Sequence, residues 1–285
     1  MRRNKLAMQS LPLAAIVLLA TFQRWSVGDE GASTLRLRWE KELLTIAGDE
    51  LPGGEVEVWH VEAFCRAGST DRDWNETVIK HHTTLTSASS DGRRIELESR
   101  LADGVVVQHV ITAGADEVAF QLTAHNPTKH TSQVAWGQPC IRVDKFTGRG
   151  QDDYLPKSFV FVDGKLTRMP FEPWARKARY TPGQVWCPGN VDRDDVNPRP
   201  LSKIVPSNGL IGCFSGDGRR ILATAWEPYQ ELFQGIIVCL HSDFRIGGLK
   251  PEETKTARGK IYLMEADVPA LLRRYNHDFP EHAKQ

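Results

Sequence analysis

The chain has 285 residues, of which 40% are hydrophobic and 25% charged. That length and apolar content suffice for one large core and exclude wholesale disorder. Thirty-six Lys plus Arg balance thirty-six Asp plus Glu, so no positive field exists to hold phosphate backbones, and nucleic acid is not an expected partner.

At the N-terminus Arg2, Arg3 and Lys5 precede an apolar run from Leu11 to Phe22, followed by the small residues Ser26-Val27-Gly28. The run is too short to span a bilayer, which takes about 20 apolar residues. This order predicts a signal peptide over residues 1–28, a single β-sandwich domain over 29–285, and a secreted or periplasmic protein. An uncleaved N-terminal membrane anchor is the alternative. No later segment is apolar enough for a membrane helix. The five cysteines, Cys65, Cys140, Cys187, Cys213 and Cys239, show no framework spacing and no CxxC pair. They predict at most two bridges, with most of the thiols serving as small buried hydrophobes.

Strand-like segments follow one another along the rest of the chain: TLRLR near residue 36, EVEVWHVEAF near 60, then RRIELESRL, VVVQHVIT and EVAFQLTAHN. Val118, Phe120 and Leu122 keep period two, as a half-buried strand requires. Asp91-Gly92, Asp103-Gly104, Asp163-Gly164 and Asp217-Gly218 punctuate the chain, and Asp-Gly favours tight hairpin turns. SQVAWGQPCIRV, SFVFV, GLIGCF, RRILATAW, GIIVCLH and GKIYLM complete the set. The expected fold class is all-β, with packed antiparallel sheets. One short C-terminal helix is expected, capped by Asp267, with Val268, Leu271, Leu272 and Tyr275 at helical spacing. The proline-rich stretch 170–206, with Trp174, Tyr180 and Trp186, is either a cleft wall or a surface brace.

The closing run CLHSDFRIGGLKPEETKTARGKIYLM resembles the end of the galactose-mutarotase-like β-supersandwich, where a His-bearing strand leads through a G-x-L-x-P-G-E turn to a last long strand. Here Glu252 stands where that turn has Gly. LADGVVVQHVITAGADEVAFQLTAHNPT is similar to the meander of the same superfamily, so the resemblance covers residues 35 to 265. It implies a β-supersandwich and a carbohydrate partner, since members include aldose epimerases, glycoside hydrolases, polysaccharide lyases and sugar-binding domains. Neither His setting of the aldose epimerases is found, so the resemblance does not extend to mutarotation.

Within this frame several rows carry chemistry. Alternation along IIVCLHSDFRIG puts Leu240, Phe244 and Ile246 on one face and His241, Asp243 and Arg245 on the other. The second row combines a proton carrier, an acceptor and a fixed cation, unless it is a solvated face with a routine ion pair. Glu227 and Glu231 flank Pro228-Tyr229-Gln230, and two carboxylates about 5 to 9 Å apart would serve glycosidic hydrolysis. Trp136, Gln138, Cys140 and Arg142 share a strand face, with Trp136 either a sugar platform or core. The loop GSTDRDWNETVIKHH gathers Arg72, Trp74, His81 and His82, of which the two histidines must point to opposite sides. His81 or His241 with Arg72 or Arg245 could run an eliminative step on a uronate. His109 falls in register with Val107 and Ile111 and is expected in the core.

The catalytic candidates are therefore His241, Asp243, Arg245, Glu227 and Glu231. Arg72, Trp74, His81, Trp136, Gln138, Arg142 and Tyr229 are the substrate-binding candidates. No cofactor and no metal site is expected, and no His or Cys spacing points to zinc. The alternative is a calcium ion on the acidic loop Asp192, Asp194, Asp195 and Asn197. The expected function is action on a polysaccharide or oligosaccharide by lyase-type or hydrolase-type acid/base chemistry. Its rival is a non-catalytic sugar-binding or cell-envelope domain.

Overall fold

The computed structural model describes residues 35–282 apart from 149, 151–153, 170–184 and 236, all within the unit Ser33–Gln285. The signal segment, and the part of the proline-rich stretch with Trp174 and Tyr180, lie outside the described residues. In chain order the strands begin with β1 (Arg36–Glu40), β2 (Leu43–Ala47), β3 (Glu55–Arg66), β4 (Val78–Ile79), β5 (His81–Ala88) and β6 (Arg94–Leu101). Next come β7 (Val106–Ala113), β8 (Glu117–His125), β9 (Val134–Arg142), β10 (Ser158–Val162), β11 (Lys165–Arg168) and β12 (Val185–Trp186). The last are β13 (Ile211–Phe214), β14 (Arg220–Glu227), β15 (Tyr229–Gln234), β16 (Cys239–Arg245) and β17 (Thr254–Glu265). The helices are α1 (Trp74–Thr77), α2 (Asp144–Thr147) and α3 (Val268–Asp278).

Two antiparallel sheets result. One has eight strands in the order β1-β2-β3-β9-β16-β15-β12, with β4 also on β3. The other has nine, in the order β11-β10-β13-β14-β17-β8-β7-β6-β5. These are the packed antiparallel sheets that the strand pattern implied, in the sandwich arrangement that the resemblance implied. In β6, β7 and β8 buried and less buried residues alternate, because one face of this meander meets the core and the other meets solvent. At Asp163-Gly164 the φ angles are 51° and 72°, the left-handed pair that closes a two-residue hairpin between Val162 and Lys165. The Asp267 carboxylate accepts from the Ala270 N–H at the start of α3. That helix sets Leu271 and Tyr275 in an apolar cluster with Tyr262 and Ile221 of the nine-stranded sheet. The four-residue helices α1 and α2 were not anticipated, being too short to show a helical period.

The core between the sheets takes Leu240 and Phe244 from β16 and Ile246 just after it, as alternation required. Phe244 lies across from Gly137 and packs against Trp226 with ring centroids 4.8 Å apart. A Cβ on Gly137 would run into the Phe244 ring, so that glycine makes room for the aromatic side chain. His109 is in the core as expected. Its Nδ1 meets His60 Nε2 at 3.1 Å and its Nε2 meets the Ser99 hydroxyl at 2.9 Å. Among the described residues no helix is long and apolar enough to cross a membrane.

Candidate functional site

The site lies on the face of the eight-stranded sheet that points away from the sandwich core. β16 pairs with β9 so that Leu240 faces Ile141 and Phe244 faces Gly137, a register that sets His241 against Cys140 and Asp243 against Gln138. On its other side β16 pairs with β15, Phe233 facing His241 and Glu231 facing Asp243. The consecutive strands β15 and β16 and the sequence-distant β9 thus merge their polar rows into one patch. β9, β15 and β16 are buried almost throughout, because residues 185–202 pack over this face. Asp195 fixes that cover by accepting from the Gly68 N–H at 2.9 Å and pairing with Arg245 at 3.3 Å.

A chain of contacts runs through the patch. The Asn197 backbone N–H donates to both Glu231 oxygens, at 3.1 and 2.9 Å, and its side-chain amide reaches Gln138 Oε1 at 3.5 Å. Gln138 meets His241 Nδ1 at 3.2 Å, and His241 Nε2 meets Cys239 Sγ at 3.3 Å. Phe233 stacks on the imidazole with centroids 4.8 Å apart. Glu231 and Asp243 are fully buried, and neither Asp243 oxygen accepts a hydrogen bond from a described residue. Burial raises both carboxyls, Glu231 to about 8 and Asp243 well above its ordinary value, Asp243 also feeling the charge of Glu231. Such a pair keeps a proton near neutral pH. Burial alone would lower His241, but the neighbouring Cys140 sulfur and Glu62 outweigh it and leave the group raised.

A cleft of about 270 Å³ opens onto this patch. Its aromatic and apolar lining comes from Trp74, Phe233 and Ile237. Its polar lining comes from Glu62, Gln138, Asn197, Arg199 and His241, with Cys140 and Cys239 beside them. Asn197 and Arg199 belong to the proline-rich stretch, so its described part is a cleft wall and not a mere brace.

The predicted residues divide. His241, Gln138 and Trp74 line the cleft, whereas Asp243 and Glu231 sit in the patch but not in that lining. Glu227 does not join Glu231. It ends β14 in the nine-stranded sheet and its Oε2 lies 2.6 Å from His282 Nε2, while β15 starts in the other sheet two residues on. Arg245 holds Asp195 and Gln230 and, with Arg72, lines a separate hollow of about 280 Å³. Trp136 is fully buried and donates from Nε1 to the Ser69 hydroxyl at 2.9 Å; a ring so covered is no sugar platform. Tyr229 is buried against His282, with centroids 5.1 Å apart. Arg142 pairs with Glu57 at 3.6 Å, outside the cleft lining. His81 sits on the edge strand β5 with Nε2 at 3.0 Å from the Val61 carbonyl oxygen, and His82 turns the other way toward Glu42.

The acidic loop folds on itself. Asp192 accepts from the Asp194 N–H at 3.0 Å, and Asp195 is spent on Gly68 and Arg245. Among the described residues the three aspartates do not form a set of close donor atoms, whereas Cys140, Cys239 and His241 do, all within 4.8 Å of one another. Nothing in the spacing of Cys and His along the chain marked this group, which the pairing of β9 with β16 brings together. All five cysteines are buried free thiols. Glu62 and Arg199 of the cleft wall were also missed, and no local pattern marks them. Cys140 was legible as a member of the Gln138 row, but its meeting with Cys239 depends on the pairing of two strands about a hundred residues apart.

No family model and no curated relative matches the chain. Solved structures do show likeness. A putative aldose 1-epimerase from Escherichia coli K12 is similar at 10% identity and a TM-score of 0.41, over 82% of this chain and 99% of that one. A galactose mutarotase-like protein from Lactobacillus casei is similar at 8% identity and a TM-score of 0.43, over 80% of this chain and 99% of that one. An alpha-N-acetylgalactosaminidase from Bifidobacterium bifidum, in complex with GalNAc, is similar at 10% identity and a TM-score of 0.44, over 86% of this chain and 37% of that one.

Proposed function

We propose that this is an exported carbohydrate-active protein that takes one sugar unit of a polysaccharide or oligosaccharide into the cleft above β9 and β16. One observation carries the reading: a half-buried Trp74 faces a hollow whose other walls present an amide pair, a guanidinium, a carboxylate and an imidazole. An indole offers a flat apolar surface to the C–H face of a pyranose, and planar polar groups satisfy its hydroxyls. The cleft's volume of about 270 Å³ suits one ring and not a longer chain. Basic residues, an apolar run and small residues at the N-terminus support export.

Glu62 is the one carboxylate lining the cleft among the described residues. Hydrolysis by two carboxylates across a glycosidic bond finds no second partner there. The better fit is elimination on a uronate unit: Glu62 takes the proton alpha to the carboxylate that Arg199 neutralises, the freed electron pair forms a C=C bond to the next ring carbon, and the glycosidic C–O bond there breaks, its oxygen taking a proton from solvent. His241, held by Gln138, Phe233 and the thiols, serves as fixed floor. The withdrawal of Glu231 and Asp243 from the lining favours a second reading, a sugar-binding cleft without turnover.

The test is to incubate the full chain with acidic and neutral saccharides while following binding heat, ultraviolet absorbance of unsaturated product, and reducing ends. Saturable binding with unsaturated product, both lost in Glu62→Gln and Arg199→Ala, is the expected result. Binding without product selects the second reading. Failure to bind any saccharide overturns both.

A further inference from the structure

The reading above leaves two thiols idle on the floor of the cleft. Cys65, Cys187 and Cys213 each belong to an apolar cluster, but Cys140 and Cys239 belong to none among the described residues. Apolar packing therefore accounts for three of the cysteines and not for these two. Cys239 and His241 are two residues apart on one strand and so share a face, and the β9–β16 register brings Cys140 across to them. One ligand atom from each of the three lies within 4.8 Å of the other two, and the three residues are 1%, 2% and 2% exposed in the order Cys140, Cys239, His241. A Cβ at position 235 would collide with Cys239 Sγ and stand 2.9 Å from His241 Nε2, so Gly235 leaves this corner open. Gln138 meets Nδ1 of the same ring at 3.2 Å. Turning the Gln138 and Asn197 amides together puts Oε1 on Nδ1 and keeps the hydrogen bond between the two amides; Nδ1 then carries the proton and Nε2 directs its lone pair at the sulfurs, the orientation a metal-bound imidazole needs.

We propose that Cys140, Cys239 and His241 bind a zinc ion, whose fourth position opens on the cleft. Two sulfurs and a nitrogen are soft to borderline donors that suit zinc and not calcium or magnesium. Tetrahedral zinc at about 2.3 Å from sulfur and about 2.0 Å from nitrogen holds its donors roughly 3.5 to 3.8 Å apart. The observed spacing needs only small side-chain shifts to meet this. As each Zn–S bond forms, the thiol proton leaves to solvent, so the dication meets two thiolates and the buried site ends neutral. The three ligands come from two hydrogen-bonded strands, which limits how far they can part.

The full chain, reduced and freed of metal, would be titrated with zinc and separately with cobalt(II), with no saccharide present. The expected result is about one zinc per chain, two thiols shielded from alkylation, and a thiolate-to-cobalt charge-transfer band with the visible bands of tetrahedral cobalt. Cys140→Ser or Cys239→Ser should weaken zinc binding at least tenfold and Gln138→Leu by about 10- to 100-fold. Cys213→Ala, in an apolar cluster, should leave it unchanged. Should a variant misfold, the cobalt spectrum of the unaltered chain still decides. Lack of the charge-transfer band, undiminished affinity in both serine variants, or a Cys140–Cys239 disulfide in a chain that takes up no zinc after reduction would overturn the proposal. Saccharide binding titrated on the zinc-free chain tests the carbohydrate reading separately.

Discussion

Two fully buried imidazole environments stand on opposite sides of the eight-stranded sheet. Between the sheets, His60, His109, Ser99 and Thr83 form a hydrogen-bonded row with no cavity beside it, His60 Nδ1 ending the row between the Trp226 and Phe120 rings without a partner among the described residues. On the far face, His241 is as buried but sits among an amide, two thiols and an acid pair at the floor of a cleft. Burial lowers His60 to about 3, whereas the sulfur and carboxylate neighbours hold His241 raised. The contrast teaches that burial alone does not mark a site. What distinguishes one is unspent polar capacity beside a cavity.

The largest effect is expected inside the sandwich, where Phe244→Ala removes a ring seated on Gly137 and Trp226 and should cost about 3–5 kcal/mol in chemical denaturation. A loss under about 1 kcal/mol would deny that the inner face of β16 is core. Next, His109→Leu leaves His60 Nε2 without its partner and Ser99 with Thr83 alone and should cost about 1–3 kcal/mol. Its sugar binding, measured by calorimetry, should be unchanged because none of these side chains lines the cleft.

On the far face, Trp74→Ala should weaken saccharide binding about tenfold, or ~1.4 kcal/mol, with the melting temperature held. Unaltered affinity would remove the indole from the sugar site. At acid pH, where Asp243 is protonated in the folded and unfolded chain alike, the smallest effect is expected from Asp243→Asn, since asparagine keeps the shape and can donate to Glu231. Its signature is a slope. His60 folds with a lowered pKa, so stability is lost as pH falls from about 6.5 toward about 3. Glu231 folds with a raised pKa, so the folded state holds the extra proton and stability is lost as pH rises from about 4.5 to about 8. Asp243 adds to that alkaline loss in the same sense. Denaturation midpoints against pH should therefore show a shallower alkaline limb in Asp243→Asn and an unmoved acid limb. Equal slopes in the two proteins would mean that the carboxyl pair is not held protonated.

Much of the fold was legible because its signals are local. Asp163-Gly164 marks its own hairpin, Asp267 caps its own helix, and period-two alternation placed Phe244 inward and His241 outward. The candidate site was legible only strand by strand. Glu227 and Glu231, four residues apart, were expected together, yet the chain passes from one sheet to the other between them. Trp136 and Tyr229 have the composition of a sugar platform but lie under other side chains. Glu62 and Arg199 reach the cleft from a long strand and a loop with no flanking pattern to announce them.

By itself the amino-acid order determined an antiparallel β architecture, its turns, its last helix, and which side chains of one strand share a face. All of these depend on interactions within a few residues, where backbone geometry leaves few choices. Only the tertiary structure decided that β9, β15 and β16 would be neighbours in a register that joins Cys140, Cys239, His241 and Gln138. That choice belongs to the packing of apolar faces across the whole sandwich, a sum over contacts far apart in the chain that no short window contains.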